Sequence, residues 1–600
     1  MREMAIRGAG LPERATTTGL GADDDTAGDF ADDGVICEEI GRAVVATGAL
    51  SAAVMLEVLT RCEPDPIRCA MELITRHHLP RQVWVDAMAK VTGLVRNDLA
   101  ETLSLRTALP EWVADLETCG LTRAWALAHC AVPIRREGQE WLVITPEARA
   151  RERHNAQAVI TAPIRWVASD PLTVGSVIDA LWRCDRRIAA LIQTASADLA
   201  KGLSPEVVEL VDLLITQAVR DRASDLHIEP GRGHCRIRVR VDGHLKDLFQ
   251  VPMGAHSAMA SRLKVMAQMD IVERRIPQDG TCAVEIDGGH LDIRVASLPT
   301  VLGEKLVLRL LPAEMAVTDL GDLGMDTVTL ARYRNVLNAH DGVILCAGPT
   351  GAGKTTSLFA SLAAINHPSR NIITIEDPVE YLLSGITQVQ TNDRAGLGFA
   401  NGLRALLRQD PDVLLVGEIR DPDTASIAMQ AALTGHLVLS SVHGTDAVTG
   451  LYRLIDMGIA PYLVASAVRA VMAQRLIRLN CSACTRPHQP QRTEIDVLHR
   501  HGIDEIPDHL WSAQGCEECL GTGFRGRSGV YELMVMSAGI RDLILAGATA
   551  MEVHSLAITE GMTTMATSAM ALVAQGSSSL GEVSEVFHLP LQVLDMGGQP

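Results

Sequence analysis

Six hundred residues are too many for one compact core, so several domains are expected. The chain is 47% apolar and 21% charged, and it lacks the unbroken apolar run of about eighteen residues that crosses a bilayer. A formal net charge of −19 disfavours a general nucleic-acid coat, because neutralising phosphates takes clustered Lys and Arg.

The first residues, MREMAIRGAGLPERATTTG, have no apolar core of the signal-peptide kind, so a cytoplasmic location is expected. Any membrane role would then be peripheral and through partners. Acidic residues crowd positions 23–39 without a Lys or Arg between 21 and 40, and 1–34 reads as an acidic disordered tail. Trp84, Trp112, Trp125, Trp141, Trp166 and Trp182 all precede residue 190. Helical spacing over roughly 35–130, then short alternating runs such as EWLVIT, predict a small α/β module, or two, across 35–190.

From 205 the pattern changes. SPEVVELVDLLITQAVRDRASDLHIE reads as an amphipathic helix with Ser204 as N-cap and Pro205 at its first position. Alternating runs follow: HCRIRVRVDGHL with a hairpin turn, TCAVEI, LDIRVASLP and KLVLRLL. A helix with several antiparallel strands predicts an α+β domain over 205–312. Beyond 325 the apolar runs GVILCAG, NIITIED, DVLLVGE and HLVLSSV alternate with helices. Such runs belong to parallel strands buried on both faces, so 325–475 is expected to be a doubly wound α/β core. From about 450 the chain reads as helical, apart from a cysteine-bearing segment over 476–530. The region 531–600 is expected to be a helical C-terminus.

GVILCAGPTGAGKTT is a strand, a glycine-rich loop and a helix start. Gly348, Pro349, Thr350, Gly351, Ala352 and Gly353 would turn backbone N–H groups onto phosphates at a positive helix end. Lys354 would reach the β and γ phosphates, the Thr355 hydroxyl would ligate Mg²⁺, and Thr356 continues the nucleotide loop. Three more loops leave the ends of buried strands, where α/β sheets bind ligands. They bring Glu376 and Asp377, then Glu418, then His436 and His443. A carboxylate ending a buried strand is costly unless it faces a cation or water. Glu418 is therefore expected to orient or deprotonate water, and Glu376 or Asp377 to support Mg²⁺.

Thirteen cysteines divide into nine scattered ones, read as buried apolar residues, and two pairs. Cys481, Cys484, Cys516 and Cys519 have the paired spacing of a closed structural Zn²⁺ site, a redox dithiol being the other use of such pairs.

The ordered set GPTGAGKTT, IEDPVEY, LRQDPDVLLVGEIRD, TGHLVLSSVH, AQRLIRLNCSAC and CEECLGTGFRGRSGVYEL resembles the hexameric ATPases of the type II/type IV secretion superfamily. It is most similar to the type II secretion ATPase and type IV pilus assembly ATPase branches. Upstream, ASDLHIEP, IRVRVDGHL and MDIVERRIPQDG resemble that family's second N-terminal domain, so the similarity is expected to cover about 205–590. The resemblance implies a multidomain α/β chain with a RecA-like P-loop ATPase domain preceded by a PAS-like α+β domain. It implies a homo-hexamer using ATP, Mg²⁺ and structural Zn²⁺, with Arg275 and Arg294 completing the nucleotide site. Glu376 and Asp377 fall in the family's Asp box, Glu418 in Walker B, and His436 and His443 in the His box. Partners would be inner-membrane platform and recruiter proteins of a secretion or pilus system, with no direct nucleic acid. The four-cysteine zinc segment resembles that of assembly rather than retraction motors. Two departures stand out: the His box ends SSVHGTDA rather than Thr-rich, and residues 1–190 match weakly.

Other classes remain in view. A conjugation-type nucleoprotein-transport ATPase shares the core, but the acidic balance and the four-cysteine segment argue against it. A small-molecule kinase needs no separate arginine-bearing domain. A non-hydrolysing scaffold does not need Lys354 and Glu418.

Overall fold

The computed structural model describes residues 33–62, 65–77, 79–97, 119–158, 162–194, 204–312 and 319–589, with Thr102, Leu116 and Ile160. The expected acidic tail lies outside these residues except at its end, where Asp33 begins the first helix. Trp112 and the last eleven residues of the expected helical C-terminus also lie outside them. The chain divides into two compact units near residue 313.

In the first unit, helices Asp33–Ala46, Ala52–Cys62, Pro66–Arg76 and Arg81–Thr92 form an N-terminal bundle. Ile40, Val44, Val58, Leu73, Trp84 and Met88 fill its core. Asp65 caps the third helix by accepting from the Ile67 and Arg68 amides, and Pro66 follows at the first position, where no N–H is missed. Strands β1 (Val95–Arg96), β2 (Val132–Glu137), β3 (Glu140–Thr145) and β4 (Ile164–Ala168) make a small mixed sheet ordered β1-β4-β3-β2.

The helix expected to run through Glu229 stops at Arg220. Arg222 takes a positive φ of 59°, and Ala223–Pro230 becomes strand β5. Period-two alternation wins here: Leu226 and Ile228 point into the core while β5 pairs on one side with β6 and on the other with β10. β6 (His234–Val241), β7 (His244–Pro252), β8 (Gln278–Ile286), β9 (Gly289–Thr300) and β10 (Gly303–Pro312) complete an antiparallel sheet ordered β7-β6-β5-β10-β9-β8. Asp242 and Gly243, both at positive φ, make the β6–β7 hairpin turn.

The second unit is built on one seven-stranded sheet. Its strands are β11 (Gly342–Ala347), β12 (Ile372–Glu376), β13 (Thr387–Gln390), β14 (Val413–Val416), β15 (Leu437–Val442), β16 (Val468–Asn480) and β19 (Phe524–Val535). The order is β13-β12-β14-β15-β11-β16-β19. All pairs are parallel except β16 with β19. Apolar clusters cover both faces, which is why β11, β14 and β15 are continuous Val/Ile/Leu runs.

β16 departs from the sequence reading, which made this stretch helical. VRAVMAQRLIRLN has good helix formers, yet it pairs along its length with β19 and its first half with β11. Two flanking ladders outweigh a weak intrinsic preference. Between β16 and β19 the chain leaves the sheet for the cysteine segment, whose own hairpin is β17 (Thr485–His488) with β18 (Leu510–Ala513). After β19 come helices Ala538–Leu545, Ala550–Thr559, Met565–Ala574 and Leu580–Phe587.

Candidate active site and metal centre

β11 ends at Ala347, and the loop 348–353 delivers the chain to the helix Lys354–Ile365. Gly351 and Gly353 sit at φ +77° and +87°, in the left-handed region that other residues enter at a cost. Gly348 is required for a different reason: a Cβ there would stand 2.8 Å from the Gln474 carbonyl oxygen. The Lys354 Nζ lies over the loop and donates to the carbonyls of Gly348 (2.8 Å) and Pro349 (3.0 Å). Burial lowers its ammonium pKa, with Cys346 and Glu418 opposing the shift. Glu418 is thus within electrostatic reach of the loop lysine. Thr355 is exposed in the first turn of the helix.

The loop is held from beneath by Gln474, a residue that sequence reasoning missed. Its side chain is 1% exposed. Its Nε2 donates to the Ala352 carbonyl at 2.7 Å, and its Oε1 accepts from Cys346 Sγ at 3.1 Å. The signal was a polar residue closing the apolar run AVMA, but it points at the loop only if that run is a strand beside β11.

Glu376 ends β12, Glu418 lies two residues past the end of the neighbouring β14, and the two are treated differently. Glu376 is buried; Thr374 Oγ1 and Gln388 Nε2 both donate to its Oε1. Burial raises its pKa against those hydrogen bonds, and the charge of Glu380 adds to the rise. Asp377 follows it, exposed, in the loop. The Glu418 side chain is 15% exposed and accepts from Arg420 Nε at 2.7 Å. His443 Nε2 stands 2.7 Å from Glu418 Oε1, an ion-pair approach without the alignment of a directed hydrogen bond. Ser441 Oγ donates to the Gly417 carbonyl at 2.7 Å and ties the two loop bases together.

His436 does not join this group. It precedes β15, whereas His443 follows it, so about six residues of strand, roughly 20 Å, separate them. His436 Nδ1 instead lies 2.9 Å from the Ala431 carbonyl at the end of the helix Pro422–Leu433. Sharing one motif puts the two histidines on opposite edges of the sheet, because a strand is straight. Arg275 and Arg294 belong to the other unit. The Arg275 side chain is 88% exposed and paired with Glu273 at 2.8 Å. Arg294 is on β9, opposite Arg309 of β10 and Thr281 of β8.

The four paired cysteines converge. Cys481–Cys516 and Cys516–Cys519 sulfurs are 3.8 Å apart and Cys484–Cys519 3.9 Å. All four sulfurs lie within 4.8 Å of one another. A tetrahedron with metal–sulfur bonds of about 2.3 Å has an edge of about 3.8 Å, so the cage has the size of a Zn²⁺ tetrathiolate. Burial raises the Cys519 thiol, but amide donors from Cys516 and Gly523 and the neighbouring thiols outweigh it, leaving a pKa of about 7. Those N–H···S contacts, 3.0 and 3.2 Å, are what a thiolate ligand needs.

The type II/IV secretion system protein family model matches residues 200–585. The type II secretion system protein HxcR of Pseudomonas aeruginosa is 44% identical over 488 residues, 78% of this chain and 98% of that protein. That span is too long to fit after residue 205, so the likeness reaches further upstream than the sequence motifs indicated. The type IV pilus assembly ATPase PilB of Myxococcus xanthus is 42% identical over 381 residues, 63% of this chain and 67% of that protein. Among solved structures, the pilus retraction motor PilT with bound ADP aligns at 26% identity and a TM-score of 0.42, covering 62% of this chain and 95% of that one.

Proposed function

This chain belongs to the type II/IV secretion system protein family, and from that premise we propose that it is a motor ATPase driving type II protein secretion or type IV pilus assembly. No described helix is long and apolar enough to cross a membrane. The motor would work from the cytoplasm, as a ring of six, on platform and recruiter proteins of the inner membrane. In this reading 35–190 is a docking region, 205–312 a PAS-like domain, 325–475 a RecA-like core, 476–530 the zinc segment and 531–600 a helical tail. The seven-stranded sheet extends that core to β19.

One observation carries the reading. Glu418 lies in the loop just past β14 on the P-loop side of the sheet, approached by His443 and within electrostatic reach of Lys354. Substrate ATP would lie with its phosphates on the amides of 348–353, and Lys354 would turn from the loop carbonyls to the β and γ oxygens. Glu418 would then orient the attacking water and take its proton, while His443 steadies the carboxylate. Thr355, exposed at the helix start, with Glu376 or Asp377, would hold Mg²⁺, whose charge screens the phosphates when bound. Arg275 and Arg294 are proposed to neutralise charge on the phosphates from the PAS-like domain. The four cysteines would hold a structural Zn²⁺ with no open position.

Glu418→Gln tests this directly. ATP should bind with affinity within about threefold of the parent, while turnover falls by about 10² or more, the scale set by loss of a general base. Turnover at the parental rate would remove Glu418 from the mechanism.

A further inference from the structure

Glu532 on β19 is only 2% exposed, and a buried carboxylate is costly unless hydrogen bonds meet it. Two backbone amides do. The Ala447 N–H donates to its Oε1 at 3.0 Å and the Met565 N–H to its Oε2 at 3.3 Å. Each donor is the first residue of a helix, Ala447–Asp456 and Met565–Ala574. The caps Asp446 and Thr564 accept from the third amides, of Thr449 and Thr567, and leave the first ones to Glu532. One carboxylate thus joins two positive helix ends.

The register places this carboxylate on the candidate active site's side of the sheet. Val442 pairs with Ala347, Ala347 with Ala473, and Ala473 with Glu532, so the four lie in one row at the carboxyl edge. His443 follows Val442, and the loop 443–446 leads from there to Ala447. The start of that loop is tied where Ser441 Oγ reaches the Gly417 carbonyl. Its far end is tied by Glu532. Between them Gly444 lies against the helix, where a Cβ would stand 2.9 Å from the Gly450 Cα. Gly450 in turn lies on Ala347 at the base of the P-loop, and a Cβ added there would meet the alanine Cβ at 2.8 Å. The helix Ala447–Asp456 therefore cannot shift without moving the loop that carries His443.

We propose that Glu532 is a positioning residue for ATP hydrolysis, holding the start of the helix Ala447–Asp456 so that His443 stays on Glu418. This role rests on Glu418 and His443 acting in hydrolysis as proposed. Three strand-to-strand steps, about 14 Å, separate Glu532 from Val442, so it acts through the loop and not on reacting atoms. Its bond to Met565 extends the same anchor to the C-terminal helices, whose placement and that of His443 then share one carboxylate.

The test is steady-state ATP hydrolysis and nucleotide titration of the full chain in Glu532→Gln, His443→Ala and the double variant. Gln keeps the shape but offers one acceptor where two amides need one each. The kcat of Glu532→Gln should fall about tenfold with nucleotide affinity within about twofold of the parent, because the P-loop is untouched. Adding it to His443→Ala should lower kcat no further, since residues that act as one unit are not additive. A full further loss in the double variant would overturn the proposal, as would an unchanged kcat in either single variant. So would an affinity that falls in step with kcat, the mark of a general loosening. Glu418→Gln, run beside them, separates the two levels. Parental turnover in that variant takes away the reading of Glu418 itself. An inactive Glu418→Gln with an additive double variant removes only the role of Glu532. Should Glu532→Gln not fold, Glu532→Asp keeps the charge but is one methylene short. It should show the same split between kcat and affinity and the same non-additivity, and failing either overturns the proposal.

Discussion

The two edges of the seven-stranded sheet have the same strands and opposite characters. At the amino edge polar groups close on their neighbours. The His436 carbonyl accepts from the Gly342 amide, and Asn371 Nδ2 donates to the Gln409 and Asp410 carbonyls. Asp341 pairs with Arg469. At the carboxyl edge the P-loop, Lys354, Glu418 and His443 come together, Lys354 on the loop's own carbonyls and Glu418 between Arg420 and His443. Parallel strands feed helices at that edge, so helix N-termini and loop amides collect there, while at the other edge helices end. Where a residue falls along a strand therefore says more about its role than which motif it belongs to. The four-cysteine segment leaves from the far end of β16, beyond the same carboxyl edge.

The largest effect should come from that segment. Cys516→Ser is expected to lower bound zinc from about one per chain to near zero, since a structural site contributes on the order of 10 kcal/mol through four thiolates. Residues 481–523 should become protease-sensitive, while nucleotide affinity holds because β16 and β19 pair independently of the cage. Metal analysis with limited proteolysis reads both; lost nucleotide binding would join two regions that the geometry separates.

Gln474→Ala strikes the carboxyl edge from below. The Ala352 carbonyl and the Cys346 thiol lose their partner, at a cost of about 1–3 kcal/mol. Nucleotide affinity should fall about tenfold with a smaller change in kcat, as expected of a group that shapes the loop without touching reacting atoms. Unchanged affinity in a nucleotide titration would mean that the loop holds itself.

Glu376→Gln separates burial from chemistry. The folded protein binds the Glu376 proton more tightly than the unfolded chain, whose value is near 4.5. The stability from this group is thus full below about pH 4.5 and falls as pH rises through the higher folded value. Gln can still accept from Thr374 and Gln388 but does not titrate. Its unfolding temperature relative to the parent should therefore climb as pH rises from about 4.5 through the higher folded value. A constant offset across that range would show that burial leaves the carboxyl unperturbed.

The smallest effect should be at the amino edge. His436→Ala is expected to cost about 1 kcal/mol or less of stability, the scale of one partly exposed hydrogen bond, with turnover within about twofold of the parent. A large loss of turnover in a well-folded variant would dissolve the distinction between the edges.

Much of this was legible in the sequence because it is local. Gly-x4-Gly-Lys-Thr between a strand and a helix sets its own geometry through left-handed glycines and a helix start, and alternating residues wrote out β6, β8, β9 and β10. What misled was also local. ASDLHIE followed a helix without a stop signal, and VRAVMAQRLI has helix formers throughout, yet each became a strand through ladders to segments far away in sequence.

Residue order alone therefore determined the family, the P-loop, the strand that precedes Glu418 and the cysteine pairs, since each is written within a short stretch of chain. The tertiary structure decided that His443 meets Glu418 while His436 does not, and that Gln474 props the loop. Those outcomes depend on which strands and helices become neighbours, and that is settled by packing across the whole unit rather than by any one segment.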